Sequence, residues 1–171
     1  MMLPGTVHLG YQHKVESRHR EKIICGLLMT ASSSMGTELL DGLASDFVAL
    51  DIGCGSGHLL KACRESGIEI EGADFDPVCV SLSGRFGKTK LVGERRLDEY
   101  FEKKSFDCLV FSHSLEHFDS PLNTVQQAKR ISRKFLLFAV PNPCRLQTIL
   151  IANPLRYDYS NRGHLCSWDR S

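Results

Sequence analysis

The chain has 171 residues, 42% apolar and 24% charged, which suits one globular domain and leaves little room for an appended module. A domain of this size buries roughly 68–70% of the surface its unfolded chain exposes, so it needs no disulfide or metal staple. The 21 Lys+Arg and 20 Asp+Glu give a net charge of +1 with the signs interspersed, which argues against a protein whose main task is to neutralise a phosphate backbone.

The longest apolar run, Phe135 to Val140, is far short of the ~20 residues a membrane-spanning helix needs. At the N-terminus His13, Lys14, Arg18, His19, Arg20 and Lys22 precede any apolar stretch, so no secretory signal is read and a cytoplasmic location is expected. Seven cysteines (Cys25, Cys54, Cys63, Cys79, Cys108, Cys144 and Cys166) form an odd set with no C-x-x-C pair, which predicts buried free thiols and excludes a zinc ribbon.

In chain order, Val15, Ile23, Ile24, Leu27 and Leu28 predict a helix from about His13 to Met29, then a loop at Ser32–Gly36 and a short helical patch near Leu39. Strand and helix then alternate. Strands are expected at Phe47–Leu50, Ile68–Ala73, Lys90–Val92, Phe106–Phe111 and Phe135–Val140. Helices are expected at His58–Ser66, Pro77–Phe86, weakly at Arg96–Lys103, and at Pro121–Ser132. Asp76 before Pro77 and Ser120 before Pro121 place a side-chain acceptor at the N-cap and proline at the first helical position. Strands joined through helices become parallel neighbours, so the expected class is a doubly wound α/β fold.

The first strand runs into Leu50-Asp51-Ile52-Gly53-Cys54-Gly55-Ser56-Gly57. Glycines at alternate positions let the backbone turn sharply and approach a ligand closely, and open α/β sheets bind ligands at the carboxyl ends of their strands. The spacing is G-x-G-x-G, neither the dinucleotide fingerprint nor a P-loop, which argues against a nicotinamide-dependent oxidoreductase. Asp51 would repel a pyrophosphate, and would attract an ammonium or organise the loop amides. The second strand ends at Asp74, 23 residues beyond Asp51, where an acid can accept both hydroxyls of a ribose. Asp76 already accounts for the following helix cap, so Asp74 is expected to be free for a ligand.

These residues, with Gly72-Ala73-Asp74, Ser105-Phe106-Asp107-Cys108-Leu109-Val110 and Leu115-Glu116-His117 before Pro121, resemble the class I S-adenosylmethionine-dependent methyltransferases. They resemble in particular the small-molecule group that includes the ubiquinone O-methyltransferases. The likeness spans Phe47 to Pro143. It implies a Rossmann-like methyltransferase fold with a mostly parallel sheet, S-adenosylmethionine as cofactor, and a small-molecule acceptor methylated on oxygen, nitrogen or carbon. It also implies that Gly53, Cys54 and Gly55 pack against the methionine portion with Asp51 near its amino group. Asp74 takes the ribose, Phe75 covers adenine, Leu97 approaches the adenine edge and Ser112 borders the methionine moiety. His113 is the first candidate for a general base and His117 the second, because an imidazole accepts a proton near neutral pH.

Two departures stand out. Ubiquinone-type relatives tend to carry Glu-x-x-Glu-His where this chain has His113-Ser114-Leu115-Glu116-His117, so no metal is expected. After Pro143 only 28 residues remain, too few for the usual final antiparallel hairpin, so the expected division is a helical cap (1–45), a cofactor-binding core (46–143) and an incomplete substrate region (144–171). The shortened end keeps a second reading open, a non-catalytic cofactor-binding or partner-regulating protein of the same fold. Arg18 and Arg20 read as a solvated face that could instead reach the cofactor carboxylate. Trp168 could line the acceptor pocket or fill the core.

Overall fold

The computed structural model describes residues 18–32, 47–93 and 96–140. Five parallel strands form one sheet: β1 (Val48–Ile52), β2 (Glu69–Asp74), β3 (Thr89–Leu91), β4 (Phe106–Ser112) and β5 (Ser132–Ala139), in the order β3-β2-β1-β4-β5. Helix α1 covers residues 18–32 of the described chain. It is followed by α2 (His58–Glu65), α3 (Pro77–Ser83) and α4 (Pro121–Ile131). The sheet is built outward from β1 to β3 and then returns past β1 to β4. The strand order therefore reverses between β1 and β4, and the carboxyl ends on either side of such a reversal are where open α/β sheets bind ligands.

Period-two alternation along the buried strands divides the interior into two cores. Phe47, Ala49, Cys108 and Val110 face Ile24 and Leu28 of α1 and Leu59, Leu60 and Cys63 of α2. Leu50, Ile52, Leu109 and Phe111 face the other way, against Ala128 and Ile131 of α4 and against Leu97, Leu115 and Phe118. Asp51 has the parity of Ala49, so it stands on the α1/α2 side, where the alternation calls for an apolar residue. At the opposite end of the sheet Asp107 ties three strands together. Its Oδ2 accepts the Val48 amide at 3.1 Å and Arg133 at 3.2 Å, which joins β1, β4 and β5 where β4 enters the core.

The alternation of elements agrees with the sequence expectation, and the differences have local causes. The Arg96–Lys103 helix shrinks to one 3₁₀ turn, Leu97–Glu99, because Leu97 is drawn fully into the core and the chain reverses at Lys104 with φ 59°. The third helix stops at Ser83 rather than Phe86. β5 begins at Ser132, directly after α4, because Ser132 pairs with Phe106 and its hydroxyl donates to the Phe135 carbonyl at 2.8 Å. Asp76 caps α3 through the Val78 amide at 2.8 Å, as predicted. Ser120 does not use its side chain as a cap; its carbonyl instead accepts the amide of Thr124 at 3.0 Å.

Cys25, Cys54, Cys63 and Cys108 are buried free thiols, and Cys79 is free and half-buried. The expectations at His13–Ser17, Ser33–Gly36, Leu39, Cys144, Cys166, Trp168 and the final hairpin fall outside the described residues. Among the described residues no helix is long and apolar enough to cross a membrane.

The two cores should respond to substitution very unlike the surface. Leu109→Ala, at a fully buried site between β1 and β5, should cost about 2–5 kcal/mol in urea unfolding, whereas Leu122→Ala, 75% exposed on α4, should stay within about 0.5 kcal/mol.

Candidate functional site

Beyond Ile52 the chain turns through Gly53 and Gly55 with φ of 75° and 54°, the left-handed region that costs an ordinary residue. Gly53 is fixed by what lies above it. A Cβ there would come within 2.5 Å of Ser114 Cβ, and the Ser114 hydroxyl donates to the Ile52 carbonyl at 2.6 Å. The loop after β4 is thereby pressed onto the loop after β1. Gly55 has the opposite surroundings: a Cβ would meet nothing within 4 Å, so its face is open.

Asp74 holds this turn in place. One carboxylate oxygen accepts the Gly55 amide at 2.8 Å and the other accepts the Asp76 amide at 3.0 Å. The expectation that Asp74 stands free is thus corrected: it braces the loops after β1 and β2. Each oxygen keeps a second lone pair, so bracing and ligand contact are compatible. The amides of Gly53 and Cys54 both donate to the Ala73 carbonyl, at 2.8 and 3.1 Å, which carries the β1–β2 pairing into the loop.

Asp51 does not organise the loop amides. It is 2% exposed and its Oδ1 has no hydrogen-bond partner among the described residues. Burial, reinforced by repulsion from Asp74 and offset in part by Arg20, pushes its carboxyl up to about 7. Arg20, half-buried on α1, has a buried Nε that likewise lacks a partner, whereas Arg18 is exposed. An orphaned acceptor and an orphaned donor therefore lie at the end of β1 under α1.

The other expected residues take varied positions. Cys54 turns its thiol inward, 3.6 Å from the Ser83 hydroxyl, and burial pushes it up to about 12, so only its backbone is offered to a ligand. Phe75 is half-buried, its ring edge-on to Phe118 with centroids 5.0 Å apart. Leu97 is fully buried in the core, so its side chain does not reach an open crevice. Ser112 closes β4 and is half-buried; His113 follows with φ 55°, and His117 is exposed.

Ser114, the clasp over Gly53, was not singled out in the sequence, whereas Glu116 was read only as part of the Leu115-Glu116-His117 motif. Glu116 is 1% exposed, neither of its oxygens has a hydrogen-bond partner among the described residues, and Oε1 lies 4.0 Å from His113 Nδ1. Among the described residues no group of three His, Cys, Asp or Glu is placed to hold a metal.

A larger groove, about 830 Å³, runs between α1 and α2, lined by charged residues including Arg18, Lys22, Lys61 and Glu65. It is open to solvent, and none of the buried polar atoms that lack a partner among the described residues belongs to its lining. The strand ends, where unsatisfied polar atoms and an open glycine coincide, are the better site.

Residues 18–171 match a family of methyltransferase domains. The chain belongs to that family. The methyl donor that goes with it is S-adenosylmethionine. Solved structures share the fold, among them a SAM-dependent methyltransferase from Archaeoglobus fulgidus with 23% identity and a TM-score of 0.53, covering 82% of this chain and 62% of that one. The YcgJ protein of Bacillus subtilis has 20% identity and a TM-score of 0.54, covering 70% and 50%. A SAM-dependent methyltransferase from Thermotoga maritima, described as a possible histamine N-methyltransferase, has 15% identity and a TM-score of 0.53, covering 82% and 64%. At these identities the likeness speaks to fold alone. The chain spans from half to just under two thirds of the length of these proteins. No curated protein matches it.

The raised Asp51 carboxyl has a consequence for the ligand-free protein. In the unfolded chain an aspartate loses its proton near 3.9, and in the fold near 7, so stability is lost as pH rises between those values. Asp51→Asn should remove that loss. Its stability relative to the parent chain should climb by about 2–3 kcal/mol from pH 5 to pH 8 in denaturant titrations, and a pH-independent difference would refute the assignment.

Proposed function

We propose that this domain transfers a methyl group from S-adenosylmethionine to an oxygen, nitrogen or carbon nucleophile of a small-molecule acceptor. The observation that supports this most is the pair of unsatisfied groups at the end of β1. Asp51 offers a buried carboxylate oxygen and Arg20 a buried N–H. An amino acid's ammonium and carboxylate would complete both. The open left-handed turn at Gly55 leaves room for backbone approach, which meets the second need of the same ligand.

In this reading Asp51 holds the ammonium and Arg20 the carboxylate, while the backbone of Gly53, Cys54 and Gly55 carries the chain between them. Asp74 uses its remaining lone pairs for the ribose hydroxyls. Phe75, steadied by Phe118, covers one face of the adenine, and Ser112 borders the methionine end. Leu97 supports that wall from within the core rather than by contact. When bound, the cofactor supplies a methyl group on a positively charged sulfur that is itself a good leaving group.

The remaining work falls to the chain's residues: holding the acceptor in line, excluding water and taking up a proton. Orientation alone is worth effective molarities of about 10⁵–10⁸ M, more than the 10²–10⁴-fold typical of general-base help. In this reading His113, half-exposed at the tip of β4, takes the acceptor's proton, and the exposed His117 is the second candidate. The Leu115-Glu116-His117 turn supports a place near the ubiquinone O-methyltransferase-like small-molecule group, and the free thiols support a cytoplasmic setting.

Calorimetry with S-adenosylhomocysteine tests this reading. Because the ammonium selects ionised Asp51, affinity should be about tenfold weaker at pH 6 than at pH 8, and Asp51→Asn should bind weakly with that dependence gone. NADH should not bind. Incubation with methyl-labelled cofactor and a panel of phenols, catechols and amines should label at least one acceptor. Binding without any transfer would instead favour a non-catalytic cofactor-binding protein, and no binding at all would remove the proposal.

A further inference from the structure

Helix α1 meets the rest of the fold along one stripe. Glu21, Ile24, Cys25 and Leu28 are buried at helical spacing, and Ile24, Cys25 and Leu28 share a core with Leu59, Leu60 and Cys63 of α2. Within that seam the Cys25 and Cys63 sulfurs lie 3.4 Å apart, buried, at positions 38 residues apart in the chain. The other described thiols turn to oxygen atoms: Cys54 to the Ser83 hydroxyl, Cys79 to Asp76 Oδ2 and Cys108 to the Leu109 carbonyl. A disulfide holds its sulfurs about 2.05 Å apart, so an approach of about 1.4 Å turns this contact into a bond. Cys25 also borders the solvent-open groove between α1 and α2, which gives a small oxidant a way to its sulfur.

We propose that Cys25 and Cys63 are an oxidation site, whose reversible disulfide fastens α1 to α2 and holds it over the cofactor pocket. The same helix carries Arg20, whose Nε is buried without a partner among the described residues, and Asp51 is 2% exposed on the side of the sheet that α1 covers. Arg20 and Glu21 both act on the Asp51 charge, which puts that stretch of α1 beside the carboxylate. A ligand's ammonium reaches a carboxylate so covered only when α1 lifts, and a bond five residues along from Arg20 prevents the lifting. Burial pushes both thiols above their ordinary range, so the pair reacts slowly while α1 is seated and meets an oxidant during its openings. The hold on the pocket rests on the methyltransferase reading above; the bond itself does not.

With hydrogen peroxide as the oxidant the chemistry balances in two steps. The Cys25 thiolate attacks one peroxide oxygen, the O–O bond breaks, and the departing hydroxide takes up the proton that the thiol gave, leaving a sulfenic acid and one water. Cys63 sulfur then attacks the Cys25 sulfur, the S–O bond breaks as the S–S bond forms, and the second hydroxide leaves with the Cys63 proton as water. Two thiols lose two electrons in all, and one peroxide is reduced to two waters. A small thiol reductant reverses the bond by exchange.

The test uses the full chain, reduced and then treated with a small excess of hydrogen peroxide. Mass spectrometry of a non-reduced digest should find Cys25 joined to Cys63, a link removed by dithiothreitol and absent from Cys63→Ala. The oxidised chain should melt about 5–10 °C higher than the reduced one, because the bond closes a long loop. Stopped-flow binding of S-adenosylhomocysteine should be at least about tenfold slower in both directions after oxidation and recover with dithiothreitol. Sulfinic acid at Cys25 with Cys63 still a thiol, or a bond between other cysteines in place of this one, overturns the proposal, and neither needs a variant to observe. A Cys25–Cys63 bond that leaves the ligand's rates unchanged overturns the hold on the pocket while the methyltransferase reading stands. If the reduced chain does not bind the ligand, that reading falls and takes the hold with it, whereas the bond is judged by the digest and the melting shift alone.

Discussion

Asp74 gives one oxygen to the Gly55 amide and the other to the Asp76 amide, and the shape of the crevice follows from those two bonds. Glycine makes the left-handed turn possible without selecting it, and within the loop after β1 the Gly57 amide donates to the Cys54 carbonyl at 3.0 Å. The brace comes from the neighbouring strand, with the Ser114 hydroxyl pressing down from the strand on the other side. Three strand ends thus converge on one turn. The strand order, with its reversal between β1 and β4, is what brings them within reach of one another.

The same convergence explains the site's electrostatics. With Asp74 already occupied by amides, Asp51 is buried beside a second carboxylate, and its proton is held until about pH 7. A fold that needed Asp51 only for stability would have paired it. Its unpaired oxygen, near an arginine whose Nε is also unpaired, is the arrangement expected of a pocket that is completed by a zwitterion. The tip of β4 repeats the pattern with Glu116, again a buried carboxylate at a strand end facing a group of basic character.

Much of this was legible in the residues. The five strands, the alternate glycines and the Asp76 cap are local signals, each fixed by the chemistry of a few consecutive positions. Asp51 and Asp74 were legible as acids at strand tips, but their roles were not. Asp51 pairs with Gly72 and Asp74 lies two residues further on, so both stand on the same side of the sheet; what separates them is distance along the strands, which leaves Asp51 buried at the end of β1 and lets Asp74 reach the Gly55 amide. Leu97 was expected at the adenine edge only through the resemblance, and its side chain is in the core because the 3₁₀ turn aims it inward. Ser114 and Glu116 carried no pattern that marks burial; their positions follow from the left-handed backbone at His113, which a histidine does not announce.

In the proposed function the cofactor lies against the open backbone at Gly55. Asparagine tolerates a left-handed conformation better than other side chains, and a Cβ at this position meets no described atom within 4 Å, so Gly55→Asn should still fold, at the modest cost of a left-handed non-glycine residue. Isothermal titration of that variant with S-adenosylhomocysteine should show affinity at least about tenfold weaker than the parent chain, because the new side chain fills the space of approach. A folded Gly55→Asn protein that binds the ligand as tightly as the parent would contradict the account.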